Sequence, residues 1–250
     1  MPFTISHAAA VLPLRRTGLP LAALMIGSMS PDFAYFVLPR IDSFWTHSAG
    51  GLFLFCWPVS LVVWCVYVRW IEWPTFALLP HRWRAAFTPS EPRIGFAALA
   101  LASAAVILGA ATHIAWDSFT HAGTPVVSAA PALGATLFSF RGIPVRVFTL
   151  LQHLSTAIGL AALFIWALRR RRESAAVAAA PWPAIPHASR LVAWALLFAS
   201  TFALAVIAYA GNPEVELGRR LFHFAVGGMK GGALAWIAIA LWVRFSGKRP

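Results

Sequence analysis

Five separate runs of about 20 apolar residues decide what this 250-residue chain can fold into. They are Ala49–Trp70, Ile94–Trp116, Val147–Leu168, Leu191–Ala210 and about Phe222–Phe245. A bilayer core is ~30 Å thick and a helix rises ~1.5 Å per residue, so each run is long enough to cross it. In hydrocarbon every backbone N–H and C=O must find its partner inside the segment, which makes each run a helix. Soluble domains carry about a quarter charged residues; here 11% are charged and 60% hydrophobic. The expected fold is therefore all-α, a polytopic membrane helical bundle with about five spans.

Ahead of these runs lies Gly18–Leu38, apolar but interrupted by Gly27, Ser28, Ser30, Pro31 and Asp32. Proline followed by aspartate is unfavourable within a plain span. It fits a broken or re-entrant helix whose backbone is covered by protein or lines a wet cavity. The alternative is a kinked helix with Asp32 capping its second half. Re-entry would let His7 and Asp32 reach the same membrane face, whereas a full crossing would separate them. The whole chain, residues 1–250, reads as one integral-membrane domain. Residues 1–48 form an N-terminal motif region and 49–168 the core spans. Residues 173–189 form an Ala/Pro linker, and 190–250 hold two C-terminal spans. The stretches Glu72–Arg93 and Ala122–Arg146 read as connections, the first interfacial with a short surface helix, the second a Gly/Pro/Ala-rich loop.

The densest chemistry is in GAATHIAWDSFTHAG, residues 109–123, where His113, Asp117 and His121 are spaced four apart. Each step of four residues drifts about 40° around a helix, so the three share one ~80° arc. Imidazole and carboxylate are ligand types of zinc and its first-row neighbours. Three polar residues closing and solvating a helix end are the plainer alternative. His47 stands at the entry to the preceding span. Successive spans run in opposite directions, so His47 and His113 arrive at one membrane face.

Lys and Arg distribution orients the chain. Most of the 20 Lys and Arg residues fall on the side of the Arg169–Arg172 run, among them Arg15, Arg16, Arg69, Arg84, Arg190, Arg244, Lys248 and Arg249. That side is expected to be cytoplasmic, with the C-terminus, in a bacterial inner membrane. The His/Asp group then faces outward. The formal net charge of +12 gathers at span ends, so anionic lipid headgroups are the expected partner and nucleic acid is not. Cys56 and Cys65, nine residues apart on one helix, point to opposite faces and do not pair.

MPFTISHAAAVLPL at the start, GSMSPDFAYF, the isolated THS and THIAWDSFTH together resemble the DUF4184 family of bacterial membrane proteins. The resemblance covers roughly Met1 to Leu168, including Gln152-His153-Leu154-Ser155; the last two spans match only as hydrophobic helices. More distantly the chain looks like the YdjM-type membrane-bound metal-dependent hydrolases, with a His near the N-terminus, a PD motif, an HS motif and a late HxxxD. The resemblance implies His7, Asp32, His47, His113, Asp117 and His121 as metal ligands.

So many donors suit one ion of five or six ligands, or a two-metal site. The cofactor expected is a divalent metal, zinc ahead of manganese or another transition metal. Its service would be to lower the pKa of bound water and to neutralise charge on a phosphoryl or acyl oxygen. The candidate catalytic histidines are His121 and His153, the latter as a general base or a neighbour of the ligands. Its alternative is a buried histidine bonded to a carbonyl. Two functions follow: a hydrolase acting on a lipid or lipid-linked phosphate or ester, or a non-enzymatic transporter or structural partner with an ion site. A transport site would place ionisable groups at mid-membrane on several helices; here they gather at one face.

Overall fold

The computed structural model describes residues 4–37, 43–84, 86, 87, 94–140, 142–173, 185–213 and 215–246. Arg40, most of the expected linker and the basic C-terminal residues lie outside them. Five helices are long and apolar enough to cross a membrane, as the five apolar runs predict. Two compact units are formed, Met1–Cys65 with Arg93–Leu168, and Val66–Pro92 with Arg169–Pro250.

In the first unit the chain begins with two short 3-10 helices, Thr4–Ala9 and Leu12–Arg16. It then turns at Gly18, whose φ of 82° lies in the left-handed region that glycine tolerates. Helix α1, Leu21–Met29, runs back. Nine residues of helix cover only ~14 Å, about half a bilayer core. Thr4 and Asp32 meet through a side-chain hydrogen bond, so the two legs close into a hairpin of half-length arms. Pro31 cannot continue the α1 ladder, and the chain tightens there into a 3-10 turn, Ser30–Phe33. The N-terminal segment is thus broken and returns on itself.

Helix α2, Ala49–Ala77, runs past the expected end at Trp70. Its start is fixed by Ser48, whose Oγ accepts from the Gly51 N–H at 3.1 Å. Two π-helical turns interrupt it, Leu52–Cys56 and Tyr67–Ile71. Each lies just before a proline, Pro58 and Pro74. A proline lacks the N–H and collides with the carbonyl four residues back; a widened turn relieves both. Glu72, placed in a connection by the sequence reading, is buried within this helix.

Helix α3, Phe96–Thr120, carries the His-x-x-x-Asp pair. It packs on α1 at two glycines. A Cβ on Gly27 would run into the Val106 carbonyl, and one on Gly109 into the Leu24 carbonyl. Helices approach this closely only over small residues. Ala34, Leu52, Phe55, Cys56 and Ala110 form the apolar core beneath the site.

The segment expected as a loop after α3 contains an antiparallel hairpin, β1 Thr136–Phe140 and β2 Ile143–Arg146, turning at Gly142 with φ 80°. All five β1 residues are exposed. The backbone N–H of Val147 donates to the Ala135 carbonyl, tying the hairpin base to α4, Val147–Glu173. Gly159 of α4 abuts Ser6, where a Cβ would lie 2.7 Å from the Ser6 carbonyl oxygen.

The second unit contains α5, His187–Ala210, and α6, Leu217–Ser246, packed through Gly227 and Gly231 against Leu204 and Ser200. Leu78, Ala193, Ile239 and Val243 form its apolar core. Trp236 donates its indole N–H to Thr75 at 2.7 Å, and Trp194 donates to the Leu78 carbonyl at 3.3 Å.

Candidate metal centre

Four segments of the first unit bring side chains to one buried point. The 3-10 helix Thr4–Ala9 supplies His7, the turn after α1 supplies Asp32, the residue before the Ser48 cap is His47, and α3 supplies His113 and Asp117. His47 Nε2, His113 Nε2 and Asp117 Oδ2 form a nearly equilateral triangle with edges of 3.2, 3.4 and 3.3 Å. Asp32 Oδ1 lies beside the two histidines, 3.6 Å from His47 Nε2 and 3.9 Å from His113 Nε2. Ligands ~2.1 Å from a tetrahedral ion are ~3.4 Å apart, so the triangle has the spacing of donors around a common ion. On the far side of Asp117, Oδ1 lies 3.5 Å from His7 Nε2.

The supports of this cluster fix which atoms face inward. His113 Nδ1–H donates to the Ser28 carbonyl at 2.7 Å, leaving Nε2 as the inward nitrogen. Thr4 donates its hydroxyl to Asp32 Oδ2 at 2.6 Å, leaving Oδ1 for the centre. His47 Nδ1 lies 3.3 Å from the hydroxyl of buried Thr46. The rings of His7 and His113 are stacked, 3.7 Å between centroids and 15° between planes.

Burial makes the cluster costly as it stands. Asp32 is 1% exposed and His113 0%. Three buried polar atoms, His7 Nε2, Asp32 Oδ1 and Asp117 Oδ1, have no hydrogen-bond partner among the described residues. An unpaired buried polar group costs roughly 1–3 kcal/mol, and a charged one more. Burial alone would make His47 harder to protonate; the Asp117 and Asp32 carboxylates beside it, 3.4 and 3.6 Å from its Nε2, favour its charged form and outweigh that. Two carboxylates buried this deeply need a positive partner, a bound cation or a protonated imidazole. Two donor groups have metal-binding spacing, His7 with His113 and Asp117, and Asp32 with His47 and His113.

His121 stands at the rim. Its Nδ1 is 3.3 Å from the Asp117 carbonyl oxygen and 3.6 Å from Asp117 Oδ2, and its Nε2 is 3.5 Å from the side-chain nitrogen of Gln152. It does not enter either close donor group. His153 is not brought to the cluster: its side chain is exposed on α4, and no hydrogen bond or ion pair of the described residues includes it. Its neighbour Gln152 faces the site instead. Thr4, Thr46, the Ser28 carbonyl and Gln152 escaped the sequence reading, because neutral hydrogen-bonding groups leave no pattern of their own. Trp45, Trp57 and Trp116 are partly exposed, at 40%, 38% and 42%.

Residues 1–241 match the family described as "Domain of unknown function (DUF4184)", and the chain belongs to that family. The match extends the likeness read from Met1 to Leu168 across the last two helices. No curated protein and no solved structure matches the chain.

Proposed function

We propose that this DUF4184 protein is a membrane-embedded metalloprotein, and that its centre hydrolyses a phosphate or other ester of a lipid or lipid-linked substrate. The observation that carries the metal reading is the convergence of three unpartnered buried atoms, on His7, Asp32 and Asp117, in one His/Asp cluster. A divalent cation offsets two carboxylates and gives each orphaned atom a partner. The residues fit zinc first, since imidazole nitrogens and carboxylate oxygens are its usual ligands and His47, His113 and Asp117 stand at the spacing of donors on one ion. His47 Nε2, His113 Nε2, Asp117 Oδ2 and Asp32 Oδ1 would hold it. When bound, such an ion supplies Lewis acidity and a water acidified toward neutrality.

The chain's own residues shape the rest. Ser28 and Thr4 hold His113 and Asp32 in their donor orientation. His47, with a side chain 19% exposed, and His121, at 27%, mark the open side through which a substrate oxygen would enter. Gln152 beside His121 could hold a polar substrate group there. The long apolar helices make membrane lipid the nearest plentiful substrate. On the Lys and Arg bias this side faces the periplasm of an inner membrane.

The near-complete burial of Asp32 and His113 favours a second reading, a closed metal site that clips helices together without catalysis. One experiment separates the two. Protein purified in detergent without chelator is analysed for metals beside His113→Ala, then assayed on phosphate-ester lipids. The wild type is expected to carry at least one transition-metal equivalent, lost in His113→Ala together with hydrolysis. Metal without hydrolysis leaves the structural clip. Wild-type protein that holds no metal and takes up neither zinc nor manganese would end both.

A further inference from the structure

We infer that the cluster is built for two ions bridged by Asp117, with His7 on the second; this rests on the metal reading above. The stacked histidines His7 and His113 carry this inference. His113 has one free nitrogen, Nε2, because its Nδ1–H is bonded to the Ser28 carbonyl. His7 Nε2 is buried and unpartnered. Both nitrogens face the same carboxylate but different oxygens: His7 Nε2 is 3.5 Å from Asp117 Oδ1, and His113 Nε2 is 3.3 Å from Asp117 Oδ2.

An imidazole lone pair lies in the plane of its ring. The rings are nearly parallel, 15° apart in plane and 3.7 Å apart at their centroids, and both nitrogens face Asp117, so the two lone pairs run side by side. For rings spaced this far apart, one ion ~2.1 Å from both nitrogens would sit ~60° out of each ring plane, far from either lone pair. Two ions, one in line with each ring, avoid that misalignment. Their separation would follow the stacking distance, and two-metal centres hold their ions ~3.5–4 Å apart. A carboxylate that presents one oxygen to each histidine is placed as the bridge between them.

The two positions differ in supply. His113, His47, Asp32 and Asp117 Oδ2 surround the first. The second has two buried atoms of the chain, His7 Nε2 and Asp117 Oδ1, and would take oxygen ligands to complete it. A pair of ions with open positions on one side suits a phosphoryl group, whose oxygens can reach both. This narrows the substrate class to phosphate esters.

The test is metal stoichiometry with manganese as the probe. Detergent-purified protein, freed of metal and reloaded with Mn²⁺, is measured by elemental analysis and by electron paramagnetic resonance. The wild type should bind about two equivalents and show the multiline spectrum of a coupled pair. His7→Ala and His7→Gln should each halve the stoichiometry and give the six-line spectrum of an isolated ion. One equivalent in the wild type, unaffected by either His7 variant, overturns the second ion and leaves the metal reading standing. No bound manganese or zinc in the wild type overturns both. The wild-type spectrum needs no variant, so poor folding of a His7 variant does not blunt the test.

Discussion

Asp32 shows how a single carboxylate is prepared for its task. One oxygen takes the Thr4 hydroxyl and the other is left facing His47 and His113. A hydrogen bond to a buried charged group contributes roughly 1.5–3 kcal/mol. Thr4→Val keeps the shape and removes the donor. It should weaken metal affinity about 10-fold or more, as loss of a ligand's supporting partner does. Titration with a competing chelator measures this, and an unchanged affinity would dismiss Thr4 as a support. Within the site, what was legible depended on residue type. His113 and Asp117 announce themselves by four-residue spacing on an apolar helix, while Thr4 has no such signature. The choice between Gln152 and His153 turned on helix rotation, about 100° per residue. Gly159, packed on Ser6, fixes that rotation. Gln152 lies seven residues before it, within ~20° of the same face, and His153 does not.

At the level of elements, two glycines do the positioning. Gly27 and Gly109 let α1 and α3 touch backbone to backbone, which sets Ser28 against His113. Gly109→Ala should destabilise by about 3 kcal/mol or more, because a Cβ there meets backbone atoms that cannot rotate away. Gly218→Ala, with no atom within 4 Å of the added carbon, is the control and should be neutral. Thermal unfolding in detergent compares them; equal transitions would mean that the close crossing is not what holds the site. The broken N-terminal segment was legible from Pro31-Asp32, since neither residue suits a continuous span. The β1–β2 hairpin was not. Its strands are four and five residues long, Pro144 lies inside one of them, and flanking Gly/Pro/Ala composition masks the alternation. The length of α2 was also missed, because Pro74 and Glu72 read as an ending while a π turn absorbs the proline.

For the whole molecule, the Lys and Arg bias gives an orientation that fusions can check. Reporters at Ala176 and Gly247 should read cytoplasmic and one at Ala132 periplasmic; a cytoplasmic reading at Ala132 would move the centre to the other face. Metal removal is the second measurement at this scale. A bound ion stabilises the state that binds it by RT ln(1 + [L]/Kd), about 2.7 kcal/mol at 100 times Kd. Chelation should therefore lower the wild-type melting temperature and leave that of His113→Ala unmoved. Equal responses would show that the ion sits elsewhere.

The closed N-terminal hairpin also has a consequence in time. Thr4 meets Asp32, yet the site residues of both arms face partners made later, His7 facing Asp117 and Asp32 facing His113. Synthesis proceeds at ~5–20 residues per second, so Asp117 emerges roughly 4 to 17 seconds after Asp32. Until then the two half-length arms carry a carboxylate and a histidine with no helix to receive them, and neither arm can span the bilayer. The first segment made must then wait at the membrane surface and enter only once α3 is in place. A chain truncated before Phe96 should leave a cysteine at Ala8, buried in the full-length protein, open to water-soluble reagents.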